Sequence, residues 1–344
     1  MKIALDAMGG DYGPVPNVAG AAAALAAYPR IERLFLVGRP DDIRAQQSKI
    51  GLSDPRVEII PATEVVEMTD SAVSAIRRKK DSSIAVATSL VKDGLADAVV
   101  SAGHTGAAVA ASTLKLRTLP GIDRAGILSP FPNEASGVCY LIDAGANVDS
   151  RPEHLVQQAI MAWTYVKHVH GRENPAVGLM SNGEEESKGN EVTKDVFAKL
   201  AELRPLGFHF VGNVEGRDLL SAPIDVAVCD GFVGNVLLKG CEGTAKAFAR
   251  ALKSQLTASP WRKLLAGLLR PAFRGVHAKM SYESYGGSPL LGVNGVTIIA
   301  HGSSNAIAIK NALRVASEAI SHQVNPHISE SVERFLRATT TAHA

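Results

Sequence analysis

A lysine, Lys188, stands in a polar, glycine-containing segment that precedes a helical pattern. The segment 181–190 follows an apolar run at 177–180 and leads into apolar residues at helical spacing, with Asn190 as the expected N-cap. The N–H groups and the dipole of a helix N-terminus attract anions. Lys188 is therefore predicted to bind a phosphate or a developing oxyanion. The alternative is a solvated lysine that balances the glutamates at 184–186.

Three further segments, 101–106, 229–235 and 301–305, combine glycine with hydroxyl, amide or imidazole side chains after a short apolar run. Each can present backbone N–H groups at the start of a helix, and glycine lets a ligand approach the backbone closely. Any one alone is more typical of an ordinary helix cap. Together with 181–190 they predict an anionic small molecule in one crevice. In a fifth segment, 6–11, the two aspartates are more typical of residues that orient turns.

Several common sites are missing from the sequence. No G-x-G-x-x-G follows the first apolar run, and no P-loop, G-x-S-x-G or H-E-x-x-H motif occurs. These absences argue against dinucleotide binding, Walker-type nucleotide binding, serine hydrolysis and a zincin-type metal site. The carboxylates form no recognisable metal-binding group, so we expect neither a metal nor an organic cofactor.

The turns must be positioned by alternating strands and helices. Apolar runs of four to six residues without alternation are typical of strands covered on both faces. Helical patterns lie between most of them, so the sequence predicts a three-layer, doubly wound α/β fold with a mostly parallel sheet. The predicted strands are at 3–8, 34–37, 98–102, 138–142, 177–180, 208–211, 226–229 and 296–300. The predicted helices are at 15–28, 107–116, 152–168, 235–256 and 303–320, and 72–95 is predicted as two helices or one broken helix.

The chain has 344 residues, and no linker or composition shift divides it. We expect one catalytic domain over 1–337, with two lobes as an alternative, and a flexible tail at 338–344. The net charge of +2 and the lack of a basic, aromatic-interleaved patch argue against nucleic acid. The odd number of cysteines, two of them in apolar runs, indicates a reducing compartment. The chain is expected to be intracellular, either soluble or attached to a membrane surface.

The segment 260–276 is amphipathic and cationic and belongs to a predicted helical protrusion at about 245–280. Ser259 and Pro260 indicate a helix start, and Pro271 indicates two short helices with a bend. This pattern is typical of an interfacial membrane anchor. Packing on the core or on a second subunit is the alternative. The residues predicted to contact a membrane or an acyl chain are Trp261, Leu264, Leu265, Leu268, Leu269 and Phe273.

Taken jointly, these segments resemble the bacterial phosphate acyltransferase family PlsX, in order and spacing, from residue 1 to about 335. The motifs that carry the resemblance lie at 6–11, 101–106, 181–190, 212–216, 230–235 with 238–239, 285–287, 290–292 and 301–302. The resemblance implies a fold of the isopropylmalate dehydrogenase and phosphate acetyltransferase type. It also implies a homodimer in which inorganic phosphate attacks a fatty acyl–acyl carrier protein to give an acyl phosphate and free carrier protein.

The resemblance also implies roles for residues and a cellular setting. Lys188 and Asn235 match the leading catalytic candidates of the family, whereas His104 stands where many members have Asn. The residues predicted to bind phosphate or substrate are Gly103, His104, Thr105, Gly106, Asn182, Gly231, Gly234 and His301. The product would feed phospholipid synthesis through the membrane glycerol-3-phosphate acyltransferase. The chain is accordingly expected in the cytoplasm, peripherally associated with the inner face of the membrane.

Three other functions remain open from the sequence. A phosphate acyltransferase acting on short-chain acyl-coenzyme A would have the same phosphate site but no obvious use for the amphipathic segment. A decarboxylating dehydrogenase would need a nucleotide site and a carboxylate-bound metal. A non-catalytic membrane scaffold would consume no acyl thioester.

Overall fold

The computed structural model describes residues 1–135 and 137–342, which contain twelve strands and fourteen α-helices. The strands are β1 (Lys2–Asp6), β2 (Arg33–Gly38), β3 (Val57–Pro61), β4 (Ala98–Ser101), β5 (Gly126–Ile127), β6 (Ser129–Asn133), β7 (Gly137–Ile142), β8 (Val177–Met180), β9 (Phe210–Val214), β10 (Val226–Val228), β11 (Ser288–Leu291) and β12 (Val296–Ile299). The helices are α1 (Pro14–Ala27), α2 (Pro40–Ile50), α3 (Ala72–Arg78), α4 (Ser83–Lys92), α5 (Thr105–Leu116), α6 (Pro152–His170), α7 (Glu191–Glu202), α8 (Asp218–Ser221), α9 (Gly231–Leu256), α10 (Pro260–Leu268), α11 (Arg270–Met280), α12 (Tyr282–Tyr285), α13 (Ala306–Ser321) and α14 (Val324–Ala342).

The strands form two sheets. The first has seven strands in the order β3-β2-β1-β4-β12-β11-β5, and its first five strands are parallel. Strand β11 is antiparallel to both of its neighbours. The second sheet has the order β6-β7-β10-β8-β9 and is parallel except at β6. Both sheets therefore carry an antiparallel edge on a parallel centre, as many α/β folds do.

Helices cover the sheets and bury their apolar residues. One hydrophobic cluster joins the first sheet to α1 and α13, and another joins its opposite face to α3, α4 and α5. A third cluster packs α6, α7 and α14 against the second sheet, whose other face packs on α8 and α9. This arrangement confirms the α/β class, the layering and the mostly parallel pairing. The single sheet that was predicted to carry all the site turns is in fact two sheets. The apolar runs alone do not indicate this division.

The structure also extends the predicted set of elements. Strands β3, β5, β6 and β11 lie in stretches where no strand was predicted, because they are short or carry proline. Helix α9 begins at Gly231, four residues before the expected start, since Asp230 accepts hydrogen bonds from the N–H groups of Phe232 and Val233. Helix α14 continues through 338–342, within the stretch predicted as a tail, and residues 343–344 lie outside the described residues.

Helices α9, α10 and α11 occupy the segment predicted to protrude. No side chain of α10 is buried, and Trp261 and Leu268 are 74% and 75% exposed. Ser259 accepts a hydrogen bond from the N–H of Arg262 and so begins α10, while Pro271 lies in the first turn of α11. Among the described residues, no helix combines the length and the apolarity needed to cross a membrane.

Two stacked imidazoles join α6 to α14. The rings of His168 and His327 lie 3.7 Å apart between centroids and are nearly parallel. Burial lowers the pKa of His168, the positive charges of His327, Lys167 and His322 lower it further, and Glu330 opposes them. The folded pKa therefore lies below the unfolded value of about 6.5. As the pH falls through that value, the unfolded chain takes up the proton first, so the free energy of unfolding falls.

We expect His168→Gln to weaken the pH dependence of stability, because it removes one of these titrating groups. Thermal unfolding at pH 7.5 and pH 5.5 should give a fall in Tm that is smaller in the variant than in the wild type by about 1–2 °C. An equal fall in both proteins would show that the stack does not contribute to the acid sensitivity of the fold.

Candidate active site

The predicted site residues come from the carboxyl ends of parallel strands in both sheets. Residues 103–106 and His301 follow β4 and β12, which are neighbours in the first sheet. Residues 181–190 and 230–235 follow β8 and β10, which are neighbours in the second sheet with Leu179 opposite Val228. Since adjacent strands lie about 4.8 Å apart, the loop that carries Lys188 and the start of α9 that carries Asn235 leave the second sheet side by side.

The loop that carries Lys188 is held by its own polar groups. Asn182 Oδ1 accepts a hydrogen bond from Gly189 N at 2.9 Å, and Asn213 Nδ2 donates to the carbonyl oxygen of Glu185 at 2.8 Å. Asn190 accepts a hydrogen bond from Thr193 N at 2.9 Å, so the predicted N-cap of α7 is confirmed. These bonds fix the backbone on both sides of Lys188, whose side chain is exposed.

The three glutamates beside Lys188 are all exposed. Glu184 Oε1 pairs with Arg217 Nη2 at 3.0 Å. Lys188 and Glu185 both lie over Gly183, where an added Cβ would come within 2.8 Å of Lys188 Cγ and 2.9 Å of Glu185 Oε2. A side chain at Gly183 would therefore displace the lysine stem, so this buried glycine helps to set the position of Lys188.

The start of α9 is packed tightly against the turn 143–147. A Cβ at Gly231 would overlap the carbonyl oxygen of Asn147, and a Cβ at Gly234 would overlap that of Asp143. A Cβ at Gly145 would lie 3.3 Å from Asn235 Cβ. The glycines thus let α9 approach the turn closely enough for the exposed Asn235 side chain to stand beside it.

The amides of residues 231–234 are used within the protein. Gly231 N donates to the carbonyl oxygen of Asn147, and Gly234 N donates to the carbonyl oxygen of Asp230. The Asp230 carboxylate accepts hydrogen bonds from the N–H groups of the two residues between them, Phe232 and Val233. The expectation that these amides cradle the ligand is therefore revised. Gly231 and Gly234 serve close packing, and the donor that this turn offers is the Asn235 side chain.

Asp143 is the buried residue that orients this turn, and it was not among the predicted site residues. Its carboxylate accepts hydrogen bonds from Ile127 N, Gly145 N, Ala146 N, Asn147 N and Asn147 Nδ2, at 2.8–3.0 Å. Burial raises the pKa of the Asp143 carboxyl, and these bonds lower it. Because every partner donates, the ionised form is the one that the turn satisfies. The signal was an aspartate at the carboxyl end of a strand, since Asp143 directly follows β7 and Asp6 is the last residue of β1.

Asp6 plays the corresponding part in the first sheet. Its carboxylate accepts hydrogen bonds from Gly9 N at 3.1 Å and Ser101 Oγ at 2.7 Å, and Ser101 Oγ in turn accepts one from Gly103 N. Burial raises the pKa of Asp6, and these hydrogen bonds oppose that shift. The interpretation that Asp6 orients turns is confirmed. The cavity beside it measures only about 10 Å³, which is room for roughly one water molecule.

The start of α5 keeps free-standing donors for a ligand. His104 is the N-cap, and its Nδ1 accepts a hydrogen bond from Ala107 N at 3.2 Å, so the neutral ring carries its proton on Nε2. Thr105 and Gly106 are the first two residues of the helix, where helix geometry supplies no intrahelical acceptor for the N–H groups. An imidazole N–H and two amides can therefore serve an anion here.

Two contacts connect the site residues that follow strands of the first sheet with those that follow strands of the second sheet. Ala107 and Ala108 of α5 share a hydrophobic cluster with Ala144, and Leu238 of α9 packs against it. On the other side, His301 Nε2 lies 3.8 Å from Glu242 Oε2 of α9. Helix α9 is thus the element that both groups of predicted site residues approach. The predicted apolar contact residues, from Trp261 to Phe273, lie beyond its C-terminus on α10, on α11 and, for Leu269, between them.

Comparison with known proteins identifies the family. Residues 1–327 match the family model described as fatty acid synthesis protein. A phosphate acyltransferase from Akkermansia muciniphila is 56% identical over 338 residues, which cover 97% of each chain. One from Pelotomaculum thermopropionicum is 49% identical over 97% of this chain and 95% of its own. The chain belongs to the PlsX family of phosphate acyltransferases. The resemblance found in the motifs is thereby confirmed.

A solved structure shares the fold. The phosphotransacetylase from Streptococcus pyogenes superposes with a TM-score of 0.61 and 18% identity, covering 93% of this chain and 94% of its own. This likeness confirms that the fold is of the predicted phosphate acetyltransferase type. Because the sequence identity is only 18%, this comparison supports the fold and no functional assignment.

Gly234 gives a direct test of the packing around the turn. Gly234→Ala should lower the free energy of unfolding by at least about 2 kcal/mol, because the new methyl group overlaps a backbone oxygen that cannot rotate away. Urea unfolding measures the change.

The matched control is Gly240→Ala in the same helix. A Cβ there meets nothing within 4 Å, so this change should stabilise the protein by about 0.5–1 kcal/mol. Equal effects of the two substitutions would mean that α9 does not press on the turn.

Proposed function

We propose that the protein transfers a fatty acyl group from an acyl–acyl carrier protein to inorganic phosphate, releasing acyl phosphate and free carrier protein. The proposal rests on membership in the phosphate acyltransferase family together with one geometric observation. Lys188 is an exposed side chain on the loop after β8, and Asn235 is an exposed side chain in the first turns of α9, after the adjacent parallel strand β10. Side-chain to backbone hydrogen bonds fix the backbone near each of them.

In the proposed reaction, a phosphate oxygen attacks the thioester carbonyl carbon. The new C–O bond forms as the carbonyl oxygen takes the negative charge, and the C–S bond then breaks. The carrier thiolate leaves and takes a proton from solvent. Phosphate is already an anion near neutral pH, so the step needs positioned donors more than a strong base.

Each donor has a proposed role. Lys188 binds the phosphate or the developing oxyanion by charge, and the Asn235 amide donates to the carbonyl oxygen. The start of α5, with His104, Thr105 and Gly106, supplies further donors for the anion. Gly103 gives close backbone approach, while Asn182, Gly231 and Gly234 hold the two loops in place.

The activity assay tests both the function and these roles. The wild type should cleave palmitoyl carrier protein only when inorganic phosphate is present, as followed by release of the carrier thiol. Lys188→Ala and Asn235→Ala should each lower kcat by about 10²-fold, because each removes a donor that acts on charge developing in the transition state.

The control is Lys194→Ala, which removes an exposed lysine six residues away on α7 and should leave kcat unchanged. Circular dichroism and Tm must match the wild type for all three variants. Folded Lys188 and Asn235 variants with near-normal turnover would refute the assigned roles. A wild type that cleaves acetyl-coenzyme A but not palmitoyl carrier protein would instead indicate the short-chain activity.

The exposed apolar side chains of α10 and α11 support a proposed membrane contact. Trp261, Leu264, Leu265, Leu268, Leu269 and Phe273 are all at least 36% exposed. Burying this face in the boundary of a bilayer would remove its apolar area from water, and basic side chains nearby would favour anionic lipids. The proposed setting is the cytoplasmic membrane surface, where a homodimer would pass acyl phosphate to the membrane glycerol-3-phosphate acyltransferase. No nucleic acid takes part in this scheme.

Flotation with liposomes that contain anionic lipid tests the membrane contact. The wild type should float, and the double variant Leu268→Glu/Leu269→Glu should stay with the soluble fraction, because two carboxylates would have to enter the apolar layer. Ile307→Glu is the control, since Ile307 is 58% exposed on α13, away from this segment. Equal flotation of wild type and double variant, or none of either, would remove the membrane assignment.

A further inference from the structure

A row of charged residues runs along α9 from Asn235. Lys239, Glu242 and Lys246 follow Asn235 at spacings of four, seven and eleven residues, which is the repeat of one helix face. Both lysines are exposed. At 1.5 Å per residue, Lys239 lies about 6 Å and Lys246 about 16 Å along the axis from Asn235.

The row faces a loop of the first sheet. His301 Nε2 and Lys239 Nζ each lie 3.8 Å from a Glu242 oxygen, so one carboxylate holds both groups. Burial lowers the pKa of His301, the charges of Lys239 and Lys246 lower it further, and Glu242 and Asp11 raise it. Lys239 is neutralised by Glu242, whereas the charge of Lys246 stands further along the helix.

The spacing of Asn235 and Lys246 matches a chemical group that any acyl carrier thioester brings with it. Carrier proteins and coenzyme A both hold the acyl group on phosphopantetheine, in which about 13 bonds separate the sulfur from the phosphorus. At about 3.6 Å per three bonds of an extended amide-containing chain, this arm spans about 15 Å. With the thioester at Asn235, the phosphate of an arm that follows α9 therefore comes to Lys246.

We propose that Lys246 binds the phosphate of the phosphopantetheine arm, and that the arm follows α9 from Asn235 past the Lys239–Glu242 pair. This inference rests on the proposed function, because it takes the thioester to lie at Asn235. It assigns the phosphate of the arm to a subsite separate from that of the attacking inorganic phosphate. A lysine serves a phosphate monoester or diester as a point charge on a flexible stem.

Matched thioester probes test the subsite. Octanoyl-phosphopantetheine and octanoyl-pantetheine differ only in the phosphate. The wild type should use the phosphorylated probe with a kcat/KM about tenfold higher, as one charge-assisted contact allows. Lys246→Ala should abolish this preference, mainly through KM, and leave the kcat for octanoyl-pantetheine unchanged.

Lys253→Ala is the matched control. Lys253 is exposed on the same face of α9 and carries the same charge, but it lies about 27 Å from Asn235, beyond the reach of the arm. It should keep the full preference for the phosphorylated probe. Alanine is a strong helix former, so neither change should disturb α9.

Binding gives a readout independent of turnover. Calorimetry in buffer without phosphate should show phosphopantetheine binding to the wild type and to Lys253→Ala about tenfold more tightly than to Lys246→Ala. Kinetics with octanoyl carrier protein and with octanoyl-coenzyme A then identify the source of the phosphate. The substrate whose kcat/KM falls in Lys246→Ala is the one whose arm occupies the subsite.

The outcomes separate the subsite from the reaction. If the wild type consumes acyl carrier protein with phosphate but Lys246→Ala retains the preference for the phosphorylated probe, the subsite is refuted and the proposed function stands. If the wild type shows no such preference in kinetics or in binding, the subsite is likewise refuted. If no acyl thioester is consumed at all, the proposed function itself is wrong.

Discussion

The buried carboxylate of Asp143 is the constraint on which the arrangement of the site depends. It lies at the end of β7 in the second sheet and accepts a hydrogen bond from Ile127 of β5, which pairs into the first sheet. The same carboxylate closes the turn 143–147, and the start of α9 packs on that turn through Gly231 and Gly234. One charge, satisfied entirely by donors, thus connects both sheets to the helix that carries Asn235.

Under the proposed function, the two sheets would supply different kinds of hydrogen-bond donor to an anion. The first sheet offers the start of α5, where helix geometry supplies N–H donors and His104 adds an imidazole N–H. The second sheet offers two side chains, Lys188 and Asn235, on backbones whose own amides are largely satisfied within the protein. Side-chain donors on a fixed backbone suit charge that appears during a reaction, because the backbone need not reorganise as the charge develops.

The sequence was informative wherever the determining interaction is local. Apolar runs located the main strands, and Asn190 capped α7 as its side-chain chemistry requires. The start of α9 was misplaced because Asp230 had not been recognised as the cap. The division into two sheets depends on pairings between distant strands, such as β7 with β10, which leave no local pattern. Asp143 was overlooked for the same reason, since one of its partners, Ile127, lies sixteen residues earlier in the chain.

The length of α9 has a mechanical consequence. The helix has 26 residues without a break, so it is about 39 Å long. Its first turn is clamped in the molecule, and its far end leads to the exposed pair α10 and α11. An unbroken helix is stiff, so the distance from Asn235 to the end of α9 at Leu256 is nearly constant. If a surface bound α10 and α11, Asn235 would be held at a nearly fixed distance from that surface. A reactant bound at the surface would have to span this distance to reach Asn235.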